Sequence, residues 1–306
     1  MALKKTGLAC GIALASFSAM AYDLPGGNMG DSSFYDGAPA PNGPGWYFLE
    51  YLQSIRADTL KGNNGKDLPV ANPKTDMFVP LSQIIYVSHK KWGNITPGWT
   101  ALLPWIAKAD NGSSPSQTGI GDLTLGGFLQ FDPIMGENGP KFSQRVELDI
   151  TGPTGQYDKD KIVNPGSHAW SVEPYYAFTY WVTPKWTTSA RFMYLWNSKN
   201  NDPNFSTGAS SSIQAGQAFH MNFATAYAVS KTVSIGINGY MLKQVTNTKI
   251  DGRSVSGRKE KVWAIGPGAL FSIGKDDSIT ANVYFEQDAH NRAEGNRYIL
   301  RYAHYF

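Results

Sequence analysis

The chain has 306 residues, of which 42% are hydrophobic and only 17% are charged, with 27 basic residues against 24 acidic ones. This near-neutral balance argues against nucleic acid or another strongly charged partner. With a single cysteine the chain has no disulfide framework, and 9 Trp, 16 Tyr, 15 Phe and 32 Gly form an unusual composition for a soluble enzyme. The composition favours a β protein.

The first residues have the three parts of a secretory signal peptide. Lys4 and Lys5 form a short basic region, residues 7–17 are mostly apolar, and residues 19–21 (Ala-Met-Ala) match the small-x-small cleavage pattern. We therefore predict a cleaved signal peptide over residues 1–21. Its apolar part is too short to anchor the protein in a bilayer, and the cysteine lies within this part instead of following it, so we expect no lipid anchor.

The next segment, residues 22–44, is rich in Gly, Pro, Asp and Ser and shows no strand pattern. This composition is typical of a flexible tail. The same segment could instead fold into the interior of the following domain and act as a plug. The sequence leaves both alternatives open.

From residue 45 onward, apolar and polar residues alternate in segments of about ten residues, the length that a tilted strand needs to cross a bilayer. In residues 218–229, for example, Phe219 and Met221 share one face while His220 and Asn222 share the other. The first three segments alternate less clearly. We predict twelve strands, over residues 45–55, 78–89, 99–107, 119–131, 141–151, 170–181, 186–196, 218–229, 232–243, 259–273, 277–287 and 297–306.

The predicted connections between these strands are sorted by length. Those from odd to even strands are long and polar, at residues 56–77, 108–118, 152–169, 197–217, 244–258 and 288–296, whereas those from even to odd strands are short or moderate. A soluble sandwich has no reason to sort its loops in this way, but an outer-membrane barrel does. The predicted fold class is therefore all-β, a transmembrane antiparallel up-and-down β-barrel of about 12 strands over residues 45–306, with both chain termini in the periplasm.

The closing strand supports this interpretation. In residues 297–306, Tyr298 and Leu300 belong to an apolar face, and the chain ends on the aromatic residue Phe306, as bacterial outer-membrane barrels characteristically do. We expect the barrel assembly machinery to recognise this strand. His304 departs from the pattern, because the third residue from the end of such barrels is usually aromatic or aliphatic.

Charged and polar residues on the opposite faces of these strands are predicted to point into the barrel lumen. They could pair across strands and fill the interior, which avoids the cost of desolvating isolated charges, or some could line a solute path and tune its selectivity. Twelve strands favour a narrow channel. The predicted lumen-facing residues are Asp122, Arg145, Glu147, Asp149, Glu173, Arg191, His220, Glu286, Arg297 and Arg301.

Several short motifs resemble those of the outer-membrane transporter family of phenol meta-degradation (MetA-pathway), also called SphA-like proteins. Residues 119–125 (Gly-Ile-Gly-Asp-Leu-Thr-Leu) look like its GxGDLxL strand opening, and residues 151–157 (Thr-Gly-Pro-Thr-Gly-Gln-Tyr) are similar to its PTGxY segment. Residues 164–174, with Asn-Pro-Gly, Trp and Glu-Pro, and residues 266–268 (Gly-Pro-Gly) also fit. The resemblance implies passage of hydrophobic or aromatic compounds through the outer membrane.

Within the first motif, Asp122 follows Gly121 at a strand start. We interpret Asp122 as a structural hydrogen-bond partner more than a ligand contact, and Gly121 as a position where another backbone segment approaches closely.

No catalytic motif is evident. An outer-membrane lipid hydrolase needs a Ser and a His together on one face, but His89 follows Ser88 and His168 follows Ser167, and adjacent strand residues point to opposite faces. The chain also lacks the G-x-S-x-G, HExxH and P-loop motifs. We therefore predict that the protein is not an enzyme and has no metal site and no cofactor.

Together these observations predict a channel of the bacterial outer membrane for passive uptake of small hydrophobic or aromatic solutes. Its expected partners are the solute, outer-membrane lipid and lipopolysaccharide, and the barrel assembly machinery, but no nucleic acid. The alternative is a structural or adhesive outer-membrane barrel that binds external partners through its long loops.

Overall fold

In a computed structural model of the chain, the structure describes residues 23–112, 116–208 and 210–306; the predicted signal peptide lies outside this range. Twelve long strands form the body of the molecule. They are β1 (Gly45–Leu60), β2 (Thr75–Val87), β3 (Ile95–Ile106), β4 (Thr124–Phe131), β5 (Gly139–Thr151), β6 (Ser171–Thr183), β7 (Trp186–Asn197), β8 (Ala218–Ala228), β9 (Val233–Gln244), β10 (Lys261–Ile273), β11 (Asp277–His290) and β12 (Ala293–Tyr305).

Each strand pairs antiparallel with the next one along the chain. The last strand also pairs with the first, from Tyr47 opposite Tyr305 to Leu60 opposite Ala293. This pairing closes the sheet into a barrel, so no strand of the twelve is left with an unpaired edge. The predicted twelve-stranded antiparallel barrel is confirmed.

The connections lie at two distinct ends of the barrel. At the loop end, residues 61–74, 107–123, 152–170, 198–217 and 245–260 join successive strands, and they contain short strand pairs and the 3-10 helix Phe205–Thr207. At the turn end, the connections are as short as the two residues between β6 and β7. Of the residues that the structure describes, none belongs to a helix long and apolar enough to span a membrane.

The prediction of a sixth long loop, at residues 288–296, is wrong. Strands β11 and β12 continue through this stretch and are joined by a tight turn at Asn291 and Arg292, where Asn291 has a positive φ of 53°. The polar sequence misled the prediction because strands that extend beyond a bilayer no longer need an apolar outer face. A polar run therefore does not mark the end of a strand.

The side-chain alternation of the strands separates an outer from an inner surface. On β12, Tyr298, Leu300 and Tyr302 are 39%, 44% and 39% exposed, whereas Arg297 is 5% exposed. At the turn end, the outward rings of Trp46 and Trp99 lie 5.1 Å apart. Outward apolar residues bordered by aromatic rings form the surface that a bilayer requires.

Residues 23–44 lie inside the barrel. At the loop end the carboxylate of Asp23 accepts hydrogen bonds of 2.9 and 2.5 Å from Arg258, and at the turn end Asn42 donates to the carbonyl of Lys275 at 2.9 Å. The segment therefore runs along the whole lumen. The expectation that both termini lie at the same end is wrong for residue 23, because the segment crosses the barrel before β1 begins.

Two glycines allow the segment to lie close to the wall. Gly37 donates from its backbone to Thr179 at 3.1 Å, and a Cβ atom there would be 2.3 Å from the Cα of Phe178. Gly30 has a positive φ of 89°, and a Cβ atom there would be 2.7 Å from the ring of Tyr284. Any side chain at either position would push the segment away from the barrel wall.

We expect Ile237→Arg to destabilise the folded barrel, because Ile237 lies near the middle of β9 and is 51% exposed on the outer surface. A cation at the bilayer midplane costs about 2–4 kcal/mol. The free energy of unfolding in phospholipid vesicles, measured by urea titration, checks this, with Ile237→Leu as the matched control. Equal stability of the two variants would contradict the assignment of this face to lipid.

Candidate functional site

The barrel encloses a cavity of about 1100 Å³. Its lining includes Tyr157 and Asn200 at the loop end, Thr232 and Ser278 near the turn end, and much of the segment 23–41. All ten predicted lumen-facing residues contribute to this lining: Asp122, Arg145, Glu147, Asp149, Glu173, Arg191, His220, Glu286, Arg297 and Arg301. The strand alternation thus places them around one space, although they come from six strands and the loop before β4.

An acidic wall is formed by Glu147 and Asp149 on β5 and Glu173 on β6. Asp149 and Glu173 are directly opposite each other in the strand register. Two of the three carboxylates have partners: Glu173 lies 2.8 Å from Nε2 of His220, and Glu147 accepts a hydrogen bond from the hydroxyl of Tyr175. Oδ1 of Asp149 is buried without a hydrogen-bond partner among the described residues. The wall therefore places three carboxyl groups side by side, of which Glu147 and Glu173 have polar partners.

Arg145 and Arg191 flank this wall. Arg145 donates from Nε to Gln130 at 3.0 Å and lies 3.9 Å from the Glu147 carboxylate. Arg191 donates to both carboxylate oxygens of Asp36, at 2.9 and 2.5 Å, and its guanidinium lies 4.0 Å from the centroid of the Tyr175 ring. The Arg191–Asp36 contact could not be found from the sequence, because the segment that carries Asp36 has no strand pattern.

A basic wall faces the acidic one. Arg297 and Arg301 lie on β12, which is six strands away from β6 in the twelve-stranded ring and therefore on the opposite side. Arg297 donates to Gln53 at 3.5 Å and Arg301 donates to Thr280 at 3.2 Å. These contacts are to neutral groups, so they leave the two positive charges without a directly bonded carboxylate among the described residues.

Glu286 is held close to the basic wall. It accepts from the hydroxyl of Tyr240 at 2.6 Å and from the backbone of Gly295 at 3.1 Å, and it lies 3.9 Å from Arg292. These bonds satisfy Glu286 within the wall. It therefore helps to shape the lumen more than it offers a binding group.

The inner faces of β1, β2 and β3 form an apolar stripe that the sequence analysis missed. Its side chains line the cavity between the loop end and the turn end: Leu49, Ile55, Met77, Val79, Leu81, Ile85, Leu102 and Ile106. Because apolar residues such as Leu52, Ile84 and Leu103 also lie on the outer faces of these strands, the alternation is blurred there. The blurred pattern in the first three predicted strands was the available signal of an apolar inner wall.

Asp122 connects the motifs on which the family resemblance rests. Its Oδ1 accepts from the backbone N–H of Gly155 at 2.8 Å, and its Oδ2 accepts from the backbone N–H and the hydroxyl of Ser167, both at 2.7 Å. A Cβ atom on Gly155 would lie 2.6 Å from the carbonyl carbon of Gly121. The carboxylate therefore holds loop 152–170 against the start of β4, which agrees with a structural role.

The loop end of the lumen contains a buried acid outside the strands. Burial raises the pKa of the Glu260 carboxyl to about 7. Its oxygens accept from the backbone of Leu24 at 2.9 Å and from Arg292 at 3.3 Å. Glu260 thus holds the start of the N-terminal segment.

His304, the unusual residue near the C-terminus, has a local partner. Its Nδ1 lies 2.9 Å from Oδ1 of Asp277, and its ring meets that of Phe306 edge-on at 4.7 Å. The hydroxyl of Tyr302 donates to the same oxygen of Asp277 at 2.5 Å. A polar side chain at this membrane border is therefore satisfied by the neighbouring strand.

Within residues 23–112, 116–208 and 210–306, no group of three or more potential metal ligands occurs.

Comparisons with known proteins agree with this architecture. The model of the family described as the "MetA-pathway of phenol degradation" matches residues 57–302. An outer-membrane channel from Pseudomonas putida F1 has the same fold, with a TM-score of 0.77 and 20% sequence identity over 90% of this chain and 99% of that chain.

Two other solved barrels are more distant. The β domain of the Bordetella autotransporter BrkA has a TM-score of 0.49 and 11% identity, over 86% of this chain and 100% of that chain. The Ralstonia pickettii toluene transporter TbuX has a TM-score of 0.42 and 10% identity, over 86% of this chain and 90% of that chain. No curated protein sequence matches the chain.

We expect Asp122→Ala to loosen loop 152–170, because the substitution leaves two backbone N–H groups and one hydroxyl without their acceptor. Unsatisfied donors of this kind cost about 2–3 kcal/mol in total. The measurement is the rate of proteolytic cleavage within this loop on intact cells. Asp160→Ala is the matched control, since Asp160 is exposed in the same loop; equal cleavage of both variants would argue against the clamp.

Proposed function

Since the chain belongs to the family described as the MetA-pathway of phenol degradation, we propose that it is a bacterial outer-membrane channel for passive uptake of small hydrophobic or aromatic compounds. In this proposal the loop end faces the outside of the cell and the turn end faces the periplasm. The solute enters between the long loops and moves through the lumen.

The apolar stripe on β1, β2 and β3 is the observation that carries this proposal. Water-filled barrels line their interior with polar side chains, whereas here Leu81, Leu102 and their neighbours turn apolar surface toward the cavity. A hydrophobic solute that leaves water for such a surface gains about 25 cal/mol for each Å² of apolar area buried. The stripe provides a series of weak apolar contacts along the lumen, from which a small solute can also leave.

The charged walls give the rest of the lumen a different character. Glu147, Asp149 and Glu173 lie on one side and Arg297 and Arg301 lie on the other. Polar side chains of this kind bind water, so this part of the lumen stays hydrated. The path we propose is therefore amphipathic, with an apolar strip along one side for the solute.

The N-terminal segment, residues 23–44, acts in this proposal as a plug that narrows the channel. It is anchored at the loop end through Asp23 and Arg258 and midway through Asp36 and Arg191, both as bidentate ion pairs. The hydrogen bonds that Arg258 donates to the Asp23 carboxylate, together with the nearby negative charge of Glu260, raise the pKa of Arg258, so this guanidinium keeps its charge. Anchoring at several points makes the segment a constriction for bulky solutes.

The remaining parts of the proposal concern delivery to the membrane. Residues 1–21 would direct export and be removed, and the exposed outer face would contact lipid and lipopolysaccharide. The barrel assembly machinery would recognise β12, whose end is completed by a backbone hydrogen bond of 3.1 Å from Phe306 to Trp46. We propose no catalytic role and no cofactor.

Leu81→Asn should lower the uptake of a neutral aromatic compound by about fivefold, since about 1 kcal/mol of apolar contact is lost from the stripe. The measurement is the initial rate of radiolabelled toluene accumulation in a host that lacks its own hydrocarbon channels. Leu81→Met is the matched control because it keeps the apolar surface, and heat-modifiable gel migration shows that each variant is folded.

Equal uptake by the Leu81 variants, together with uptake no faster than in cells without the protein, would contradict the channel proposal. If the purified protein also gave no conductance in planar bilayers, the alternative of a structural or adhesive barrel would be favoured.

Deletion of residues 26–40 should increase the single-channel conductance, because this segment fills part of the lumen along its length. The measurement is single-channel recording in planar bilayers. Asp36→Asn, which weakens one anchor and keeps the segment, should give frequent brief openings to the larger conductance. A deletion variant that is folded and conducts like the intact protein would contradict the plug.

A further inference from the structure

We propose that the lumen contains a binding site for the carboxylate of an aromatic acid, formed by Arg297 and Arg301, and that Asp31 of the N-terminal segment supplies a more distant counter-charge when the site is empty. The inference rests on the proposed channel function and specifies a solute class for it, namely small aromatic compounds that carry one carboxylate.

The position of Asp31 is set by hydrogen bonds on both sides of it. The backbone N–H of Gly30 donates to Asn222 at 3.0 Å, and the carbonyl of Gly30 accepts from the hydroxyl of Tyr284 at 2.7 Å. The hydroxyl of Ser32 accepts from Asn222 at 2.7 Å. Residues 30 and 32 are therefore bound to the inner wall, which presents the side chain of Asp31 to the lumen at a defined height.

Three arginines surround this carboxylate at a distance. Burial has the largest effect on Asp31 and raises the pKa of its carboxyl to about 6, while Arg297, Arg191 and Arg301 attract the carboxylate and Glu173 opposes this attraction. Arg191 is already bonded to Asp36 through both of its carboxylate oxygens. Arg297 also interacts electrostatically with Glu286, but the Glu286 carboxylate is bonded to Tyr240 and Gly295 instead. Arg297 and Arg301 therefore have no carboxylate bonded to them among the described residues, and they are the arginines that a further anion can bind.

Neither partner in this arrangement is saturated by hydrogen bonds. Oδ1 of Asp31 and Nε of Arg297 are both buried and have no hydrogen-bond partner within the part of the chain that the structure describes. Arg297 is only 5% exposed and lines the cavity. A buried guanidinium N–H without an acceptor is costly, so an anion that reaches it directly binds more favourably than Asp31, which attracts it without touching it.

The surroundings of the two arginines fit an aromatic ring. The guanidinium of Arg301 lies 5.9 Å from the ring centroid of Tyr51, and that of Arg297 lies 5.7 Å from the ring centroid of Tyr240. Leu49 and Leu81 of the apolar stripe pack against the same buried cluster. A ring can therefore lie on the stripe while its carboxylate reaches β12.

This geometry explains why a carboxylate is favoured over other anions. Arginine binds a planar carboxylate through two parallel N–H···O bonds, which are stronger than bonds to a neutral acceptor. Asp31 has the same chemistry and neutralises the arginines while no ligand is present. An incoming carboxylate then replaces the distant attraction of Asp31 with direct contact. The two arginines have a counter-charge nearby both before and after the ligand binds, so they are never unpaired buried charges.

The test measures binding of sodium benzoate to the full mature chain in detergent by isothermal titration calorimetry at low ionic strength. Benzoate should bind at least about tenfold more tightly than acetate or benzyl alcohol, which lack the ring and the charge respectively. Asp31→Asn should strengthen benzoate binding by about tenfold, because the competing charge is removed while the shape is kept.

Removal of the arginine charges should have the opposite effect. Arg297→Gln combined with Arg301→Gln should weaken benzoate binding by at least about tenfold, and Arg301→Lys alone should give an intermediate loss because lysine offers a point charge without the bidentate fork. Heat-modifiable migration on gels identifies any variant that has not folded, in which case Arg301→Lys still decides the question.

Arg145→Gln is the matched charge control, since Arg145 lines the same cavity on the other side of the lumen. Its effect on benzoate binding should be less than about threefold. An effect as large as that of the β12 variants would mean that benzoate responds to overall charge, and it would overturn the proposal. The proposal would also be overturned if benzoate and acetate bound equally tightly, or if the Asp31→Asn variant bound benzoate more weakly than the wild-type protein.

Uptake of neutral toluene separates this inference from the proposed function. The β12 arginine variants should take up toluene at the wild-type rate while losing benzoate binding. Toluene uptake without specific benzoate binding would overturn only the carboxylate site. Absence of toluene uptake by the wild-type protein would overturn the proposed function, even if benzoate bound as expected.

Discussion

Pairing between β1 and β12 is the contact on which the rest of the structure depends. Hydrocarbon offers no hydrogen-bond partner to a peptide group, so a sheet that crosses it must leave no open edge. The register from Tyr47 and Tyr305 to Leu60 and Ala293 satisfies both strands along their length. Closure also creates the lumen. The charged walls can face each other across it, and residues 23–44 can lie within it, only because the first and last strands pair.

The interior created by this closure is divided by chemistry. One sector, on β1 to β3, is apolar, and two others carry opposite charges on β5 and β6 and on β12. The segment 23–44 crosses the space between them and bonds to several strands. A charged group near the axis therefore interacts with both walls, as Asp31 does with Arg297 and Glu173. This mixed lining is the basis of the solute class that we propose.

Much of the barrel could be predicted because a strand between lipid and lumen must alternate. The rule placed Arg297 inside and Leu300 outside, and it put all ten predicted lumen residues around one cavity. It was weakest on β1 to β3, where apolar residues lie on both faces, and it failed at residues 288–296, where the strands leave the membrane-facing zone and outward residues are no longer apolar. Alternation appears only where the two faces of a strand meet different environments, so it gives no signal where the two environments are alike.

By itself the sequence determined the fold class, the number of strands, the closing strand and the sign of the charges on the inner face, because each depends on a period of two along a single strand. The tertiary structure decided which charges meet. The contacts of Arg191 with Asp36, of Asp122 with Gly155 and Ser167, and of Tyr284 with Gly30 join parts of the chain that share no local pattern. Such contacts depend on closure of the ring and on the path of residues 23–44 within it. The periodicity of a single strand predicts neither of these.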